Sequence, residues 1–151
     1  MKLNSIYLDA TPKTPLIDFN NHSGELILSG KSIPENAALV YDDLLTWVSE
    51  YVKEPRKTTN LRLNLEYFNT ASAIWLSRIV ASLSSIKSTE YTLLIHLYFN
   101  IEDFESMDED DLKDELHPII NMIGNTSISV GIKIHGTDKN GVIIKESMVL
   151  I

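Results

Sequence analysis

The middle of the chain contains two segments with the periodicity of β-strands. Residues 61–67 alternate apolar and polar side chains over seven positions, which is typical of a strand with one buried face. Residues 91–99 are apolar or aromatic at nearly every position, and Thr92 and His96 are the exceptions. This nearly continuous run predicts a strand in the middle of a sheet that is covered on both faces.

Hairpins are predicted at both ends of the chain. The apolar segments 16–19 and 25–28 are separated by a cluster of turn-forming residues, and residues 6–8 are expected to add a short edge strand. Near the C-terminus, residues 127–134 alternate again, and a turn then leads into the apolar segment 142–144. This pattern predicts a closing hairpin.

Apolar positions at helical spacing follow the first hairpin. From Ala37 to Tyr51 apolar side chains recur three and four residues apart, and Pro55 stops the pattern. The start is predicted at Ser32, because a hydroxyl three residues before Glu35 forms a capping box. We therefore expect an amphipathic helix that lies on a sheet.

Two further helices are predicted in the second half of the chain. Residues 69–72 offer side-chain oxygens suited to capping, and apolar residues from Ile74 to Ile86 continue at helical spacing. An acidic tract at 102–115 leads into a third helix, whose first turn is favoured by negative charge. Pro118 is expected to bend or divide that helix.

The order of these elements indicates the fold class. Helices alternate with strands in the middle of the chain, which predicts an α/β (α+β) protein with a mixed β-sheet packed against helices. The chain has 151 residues, enough for one core, and we treat 1–151 as a single domain.

Charge and composition narrow the possible partners. Lys and Arg number 13 and Asp and Glu number 21, which gives a net charge of −8 and opposes binding to nucleic acid or to an anionic membrane. The absence of cysteine excludes disulfides, thiolate catalysis and Cys-ligated metals. No apolar run is long enough to span a bilayer and the first residues do not resemble a signal peptide, so we expect a cytoplasmic location without membrane insertion.

The sequence contains few of the patterns that enzymes use. His22, His96, His117 and His135 include no pair at the spacing of a helical metal site, and the acidic tract fails the EF-hand pattern counted from Asp108. Glycine-rich phosphate loops and the nucleophile elbow are also absent. We therefore expect no metal, no cofactor and no catalytic residue.

One residue stands out after this elimination. Thr70 comes just after a predicted strand and at the start of a predicted helix, so its hydroxyl is expected near the surface and near free backbone N–H groups. From spacing alone, helix capping by Asn69 or Thr70 is the simpler interpretation.

Two short motifs resemble those of a known family. The sequence SIPEN at residues 32–36 and the sequence LEYFNTAS at residues 65–72 resemble the SiaC family of bacterial regulatory phosphoproteins. The Thr14-Pro15 pair before the first hairpin fits the same pattern. The resemblance extends from about Thr11 to the end of the strand at 91–99, whereas the C-terminal third contains no matching motif.

The resemblance implies a fold similar to that of STAS domains, the family of anti-sigma-factor antagonists, in which a hydroxyl at a helix start is phosphorylated. It implies a protein without enzymatic activity, controlled by a serine/threonine kinase and a PP2C-type phosphatase. The unphosphorylated form is expected to bind and activate a diguanylate cyclase, which raises cyclic di-GMP and favours biofilm formation. Thr70 matches the phosphoacceptor of the family, and Ser72 is the expected substitute acceptor because Ala71 interrupts the hydroxyl residues that often follow it.

The surface around Thr70 is then the expected docking face for the partner. We expect this face to include Asn69, Thr70, Ser72 and the exposed side of the helix, whereas Trp75 belongs either to this face or to the core. Two alternatives stay open: a STAS-type anti-sigma-factor antagonist that acts on a transcription partner through the same threonine, and a small enzyme of unknown type.

Overall fold

A computed structural model describes residues 3–123 and 128–150 of the chain. These residues form one seven-stranded sheet in which the strands lie in the order of the sequence. The strands are β1 (Ile6–Leu8), β2 (Leu16–Phe19), β3 (Glu25–Ser32), β4 (Thr58–Phe68), β5 (Thr92–Asn100), β6 (Ser129–Thr137) and β7 (Ile143–Leu150).

The sheet is mixed, as predicted. Pairing is parallel from β3 to β6, and it is antiparallel between β1, β2 and β3 at one edge and between β6 and β7 at the other. Both terminal hairpins and the short edge strand β1 are therefore confirmed. Position 127 of the last predicted hairpin lies outside the described residues.

Helices connect the parallel strands. They are α1 (Ala37–Tyr51), α2 (Thr70–Ser84), α3 (Ile101–Ser106) and α4 (Glu109–Met122). Because each crossover advances in the same direction across the sheet, and such crossovers are right-handed, these helices cover one face of the sheet. The predicted α/β architecture is confirmed.

The core lies between the helices and the strand residues that point toward them. Leu26, Leu61 and Ile95 are fully buried on neighbouring strands of the sheet. Tyr41 of α1 and Ile79 of α2 are buried against them at the predicted helical spacing. The hydrophobic periodicity therefore identified the packing faces of both helices.

The start of α1 differs from the prediction. The helix begins at Ala37 with Asn36 as its N-cap residue, whereas Ser32 is the last residue of β3 and pairs with Phe68 of β4. The capping-box interpretation of Ser32 is wrong, because pairing with a distant strand keeps this residue in the sheet.

The acidic tract forms α3 and the first half of α4. Asp108 caps α4 through a reciprocal pair of hydrogen bonds with Asp111, and three acidic residues in the first turn favour the helix dipole. The helix continues through Pro118 as a single element, so this proline does not divide it.

Strand β5 is covered by helices on one face only. Leu93 and Ile95 point into the core, whereas His96 and Tyr98 lie on the opposite face. The strand lies in the middle of the sheet, as predicted. Helices cover only one of its faces, and on the other a polar network accounts for the burial of His96, which is only 3% exposed.

The network joins four strands on the face of the sheet away from the helices. Arg62 Nε donates to Glu25 Oε2 at 2.8 Å, and Arg62 Nη1 donates to the Tyr98 hydroxyl at 2.9 Å. His96 Nδ1 lies 2.9 Å from His135 Nε2, and His96 Nε2 lies 2.7 Å from an oxygen of Asn60.

The protonation state of His96 follows from these neighbours. Its Nδ1 also lies 3.4 Å from Arg62 Nη1, which can only donate, so Nδ1 is an acceptor and the ring proton sits on Nε2. His96 is therefore neutral. Burial lowers the pKa of His96 to about 4, and the charges of Arg62 and His135 add to the shift.

We predict that stability falls as the pH is lowered from about 6.5 to about 4. In this range the unfolded chain binds a proton at His96 and the folded chain does not, which lowers the free energy of unfolding by up to about 3 kcal/mol. Urea denaturation across this range measures the slope, and His96→Gln should flatten it. The matched control is His117→Gln at an exposed position; an equal effect of both variants would contradict the assignment.

Candidate functional site

A single residue connects β4 to α2. The side-chain oxygen of Asn69 accepts from the Ser72 N–H at 2.9 Å and caps the helix. Its amide nitrogen donates to Pro34 O at 3.1 Å, and its backbone N–H donates to Ser32 O at 2.9 Å. Asn69 thus fixes the start of α2 against the end of β3 and the loop that follows it.

Thr70 is the first residue of α2 and is exposed. Asn69 already receives the N–H groups of Ser72 and Ala73, and no residue of the described chain hydrogen-bonds the Thr70 hydroxyl. This oxygen is accessible from solvent at a helix N-terminus, where the helix dipole favours an anion. The geometry therefore permits modification of this hydroxyl in the folded state.

Ser72 occupies a different environment. Its side chain is fully buried, and its hydroxyl donates to Ser32 O at 3.0 Å while accepting from the Ser32 hydroxyl at 2.8 Å. The Tyr41 hydroxyl bonds to the same Ser32 oxygen, and burial raises the pKa of Tyr41. The sequence placed Ser72 on the docking face and named it as a substitute acceptor, but its burial argues against both roles.

Trp75 lies between the two environments that the sequence left open. It is half-buried and packs against the core. The guanidinium of Arg78 lies 4.8 Å from the centre of its ring, which is a cation–π distance. One part of the indole is therefore in the core and another is at the surface.

The surface beside Thr70 carries apolar residues that the sequence patterns did not place there. Phe68 is 55% exposed, and its neighbour Tyr67 is 65% exposed. Ile74, which the helical spacing counted among the apolar positions of the helix, lies one turn after Thr70 and is 49% exposed. The adjacent aromatic pair at the end of a strand was the available signal, because two consecutive residues of a strand point to opposite faces and cannot both enter one core. Phe68 lines a groove together with Ala73 of α2, whereas Tyr67 points to the other face of the sheet, where Lys31 Nζ lies 5.9 Å from the centre of its ring. We therefore call Phe68, Thr70 and Ile74 the Thr70 surface.

Within the described residues, no group of three or more His, Asp or Glu side chains is arranged to hold a metal ion. In the same part of the chain, no helix is both long and apolar enough to cross a membrane.

Comparison with known proteins finds a matching family model and a relative of similar sequence. The family model of the SiaC family regulatory phosphoproteins matches residues 8–124. An uncharacterized protein of Pseudomonas aeruginosa (strain UCBPP-PA14) is 29% identical over 70 residues, which are 46% of this chain. The matched region spans 56% of that relative's length.

Solved structures share the fold. Apo-SiaC from Pseudomonas aeruginosa is 20% identical with a TM-score of 0.57, and the match covers 83% of this chain and 97% of that one. A chain in the structure of the diguanylate cyclase SiaD in complex with its activator SiaC, also from P. aeruginosa, is 21% identical with a TM-score of 0.66. That match covers 86% of this chain and 99% of that one.

We predict that Ser72→Ala destabilises the fold and Thr70→Ala does not. Removing the Ser72 hydroxyl leaves the buried Ser32 hydroxyl without its acceptor, which lowers the free energy of unfolding by about 1–3 kcal/mol. Urea denaturation measures the difference. Ser85→Ala is the control, because this exposed serine bonds only within its own turn; equal stability of the Ser72 and Ser85 variants would contradict the prediction.

Proposed function

The chain belongs to the SiaC family of regulatory phosphoproteins, and we propose that it is a phosphorylation-controlled activator of a diguanylate cyclase that acts by binding and not by catalysis. The observation that carries this proposal is the exposed hydroxyl of Thr70 at the start of α2, which no residue in 3–123 or 128–150 hydrogen-bonds. Apolar side chains of the Thr70 surface adjoin it. In this proposal a serine/threonine kinase and a PP2C-type phosphatase set the state of Thr70.

A related complex supports the choice of partner. A SiaC of P. aeruginosa has been crystallised with the diguanylate cyclase SiaD and is named its activator. This chain has the fold of one chain in that structure, but the two chains are only 21% identical. That this chain also binds a diguanylate cyclase is therefore part of our proposal. The residues at Thr70 supply the independent support.

Phosphorylation at Thr70 is compatible with the folded protein. A phosphate adds about 1.5–2 negative charges and three acceptor oxygens. At Thr70 these oxygens lie beside the first N–H groups of α2, where the helix dipole favours an anion. The hydrogen bonds of Asn69 and Ser72 do not involve the Thr70 side chain, so the fold stays intact when Thr70 is modified.

The same phosphate opposes docking of a partner over this surface. Covering the site removes water from a dianion, and this costs free energy unless the partner supplies compensating donors. A penalty of about 1.4 kcal/mol lowers the affinity tenfold. We propose that the unphosphorylated form binds the cyclase and that phosphorylation releases it.

We predict that Thr70→Glu weakens cyclase binding by about tenfold or more, since it places a carboxylate beneath the docked partner. Titration calorimetry with the cognate cyclase measures the affinity. Thr89→Glu is the matched control, because it adds the same charge at an exposed position beyond the other end of α2. Equal affinity of both variants and the wild type would remove Thr70 from the switch.

The modification itself is tested by intact-mass analysis after incubation with the cognate kinase and ATP. We expect one phosphate on the wild type, mapped to residues 67–78, and none on Thr70→Ala. A phosphate retained by Thr70→Ala would assign the acceptor elsewhere. Capture of an anti-sigma kinase without a cyclase from the native cell would favour the anti-sigma-factor-antagonist alternative.

A further inference from the structure

The sheet opens next to the Thr70 surface. Strands β4 and β5 pair only as far as Leu63 with Leu97, yet β4 continues along β3 to Phe68 and β5 continues along β6 to Asn100. The two strands therefore separate at their carboxyl ends. A gap in the sheet lies beneath the space between α2 and α4.

An apolar groove with a volume of about 170 Å³ lies at this gap. Leu65 and Leu97 form part of its floor, Phe68 and Ala73 lie on the α2 side, and Ile119 lies on the α4 side. These side chains are only partly buried or exposed, so the groove opens to solvent. Its volume suits one or two apolar side chains from another molecule.

The two walls of the groove differ in charge. The α4 wall carries Glu115, the last residue of the segment 102–115, which contains 9 of the 21 acidic residues and one of the 13 basic residues of the chain. The remaining 12 acidic and 12 basic residues cancel, so the net charge of −8 equals that of this one segment. The α2 wall instead carries Ala73 and continues into the Thr70 surface.

We propose that the groove between α2 and α4 receives a basic amphipathic segment of the cyclase, an inference that rests on the proposed function. Apolar side chains of the segment enter the groove, and its Lys or Arg residues face the acidic α4 wall. The opposite flank of the segment lies against Phe68 and Thr70 and is apolar. A phosphate on Thr70 then faces the apolar flank of the segment, which has no cation to neutralise it. Added negative charge at Thr70 therefore weakens the complex, although the protein is acidic and the bound segment is basic.

Two substitutions separate the apolar and the electrostatic parts of this proposal. Ala73→Trp fills the groove from the half-exposed rim of α2, and we expect it to weaken cyclase binding at least tenfold. Its control is Ala81→Trp, an exposed position two turns further along the same helix. Glu115→Lys reverses the charge of the α4 wall, and its control is Asp42→Lys on the exposed side of α1.

The affinities are measured by titration calorimetry at low and at physiological salt, with far-ultraviolet circular dichroism to confirm folding. We expect wild-type binding to weaken as salt rises and Glu115→Lys to lose affinity and much of that salt dependence. If Ala73→Trp folds and binds like Ala81→Trp, or if Glu115→Lys binds like Asp42→Lys, the groove proposal is overturned. Loss of binding in Thr70→Glu alone would then leave the proposed function standing, whereas a wild type that binds no cyclase would overturn both.

Discussion

A chain of buried hydroxyls joins α1, β3 and α2 beside Thr70. The Tyr41 hydroxyl of α1 bonds to the Ser32 hydroxyl at the end of β3, which donates to the Ser72 hydroxyl of α2. Ser72 returns its own proton to the carbonyl of Ser32. Because each of these three hydroxyls has a partner, the three elements are joined at one point without an unsatisfied hydroxyl donor.

This junction leaves the Thr70 side chain outside the hydrogen bonds that hold the fold. Two residues before Ser72 in the chain, Thr70 lies outside the network, while Asn69 and Ser72 on either side of it are both fixed by hydrogen bonds. The helix start is therefore held by its neighbours and not by the residue that we propose to be modified. A phosphorylation site on a rigid support changes the surface without unfolding the protein.

The sequence predicted those features that depend on local patterns. Period-two alternation located β4, helical spacing identified the buried faces of α1 and α2, and turn residues located both hairpins, since each of these signals lies within one segment. The junction at Thr70 was also found, because the strand ends and the helix begins within two residues. The resemblance then supplied the role that we propose for Thr70, which spacing alone could not distinguish from capping.

The features that were missed arise from pairing between distant segments. Ser32 was assigned to a cap because its partners, Phe68 and Ser72, lie about forty residues away. The rings of His96 and His135 are stacked on each other, although these residues are 39 positions apart in the chain. The groove is likewise invisible in the sequence, since it results from two strands that part after Leu63 and Leu97.

In the complex that we propose, the charges on α4 and on Thr70 affect different kinetic steps. The fixed charge on α4 acts over about a Debye length, roughly 10 Å in moderate salt, and therefore affects mainly the rate at which a basic partner arrives. A charge on Thr70 acts after the partner has displaced water from α2, so it affects mainly the rate at which the complex dissociates. In our proposal, arrival and release therefore depend on opposite walls of one groove. A phosphate added to Thr70 while the partner is away shortens the lifetime of the complex that then forms, and the acidic attraction on α4 is unchanged.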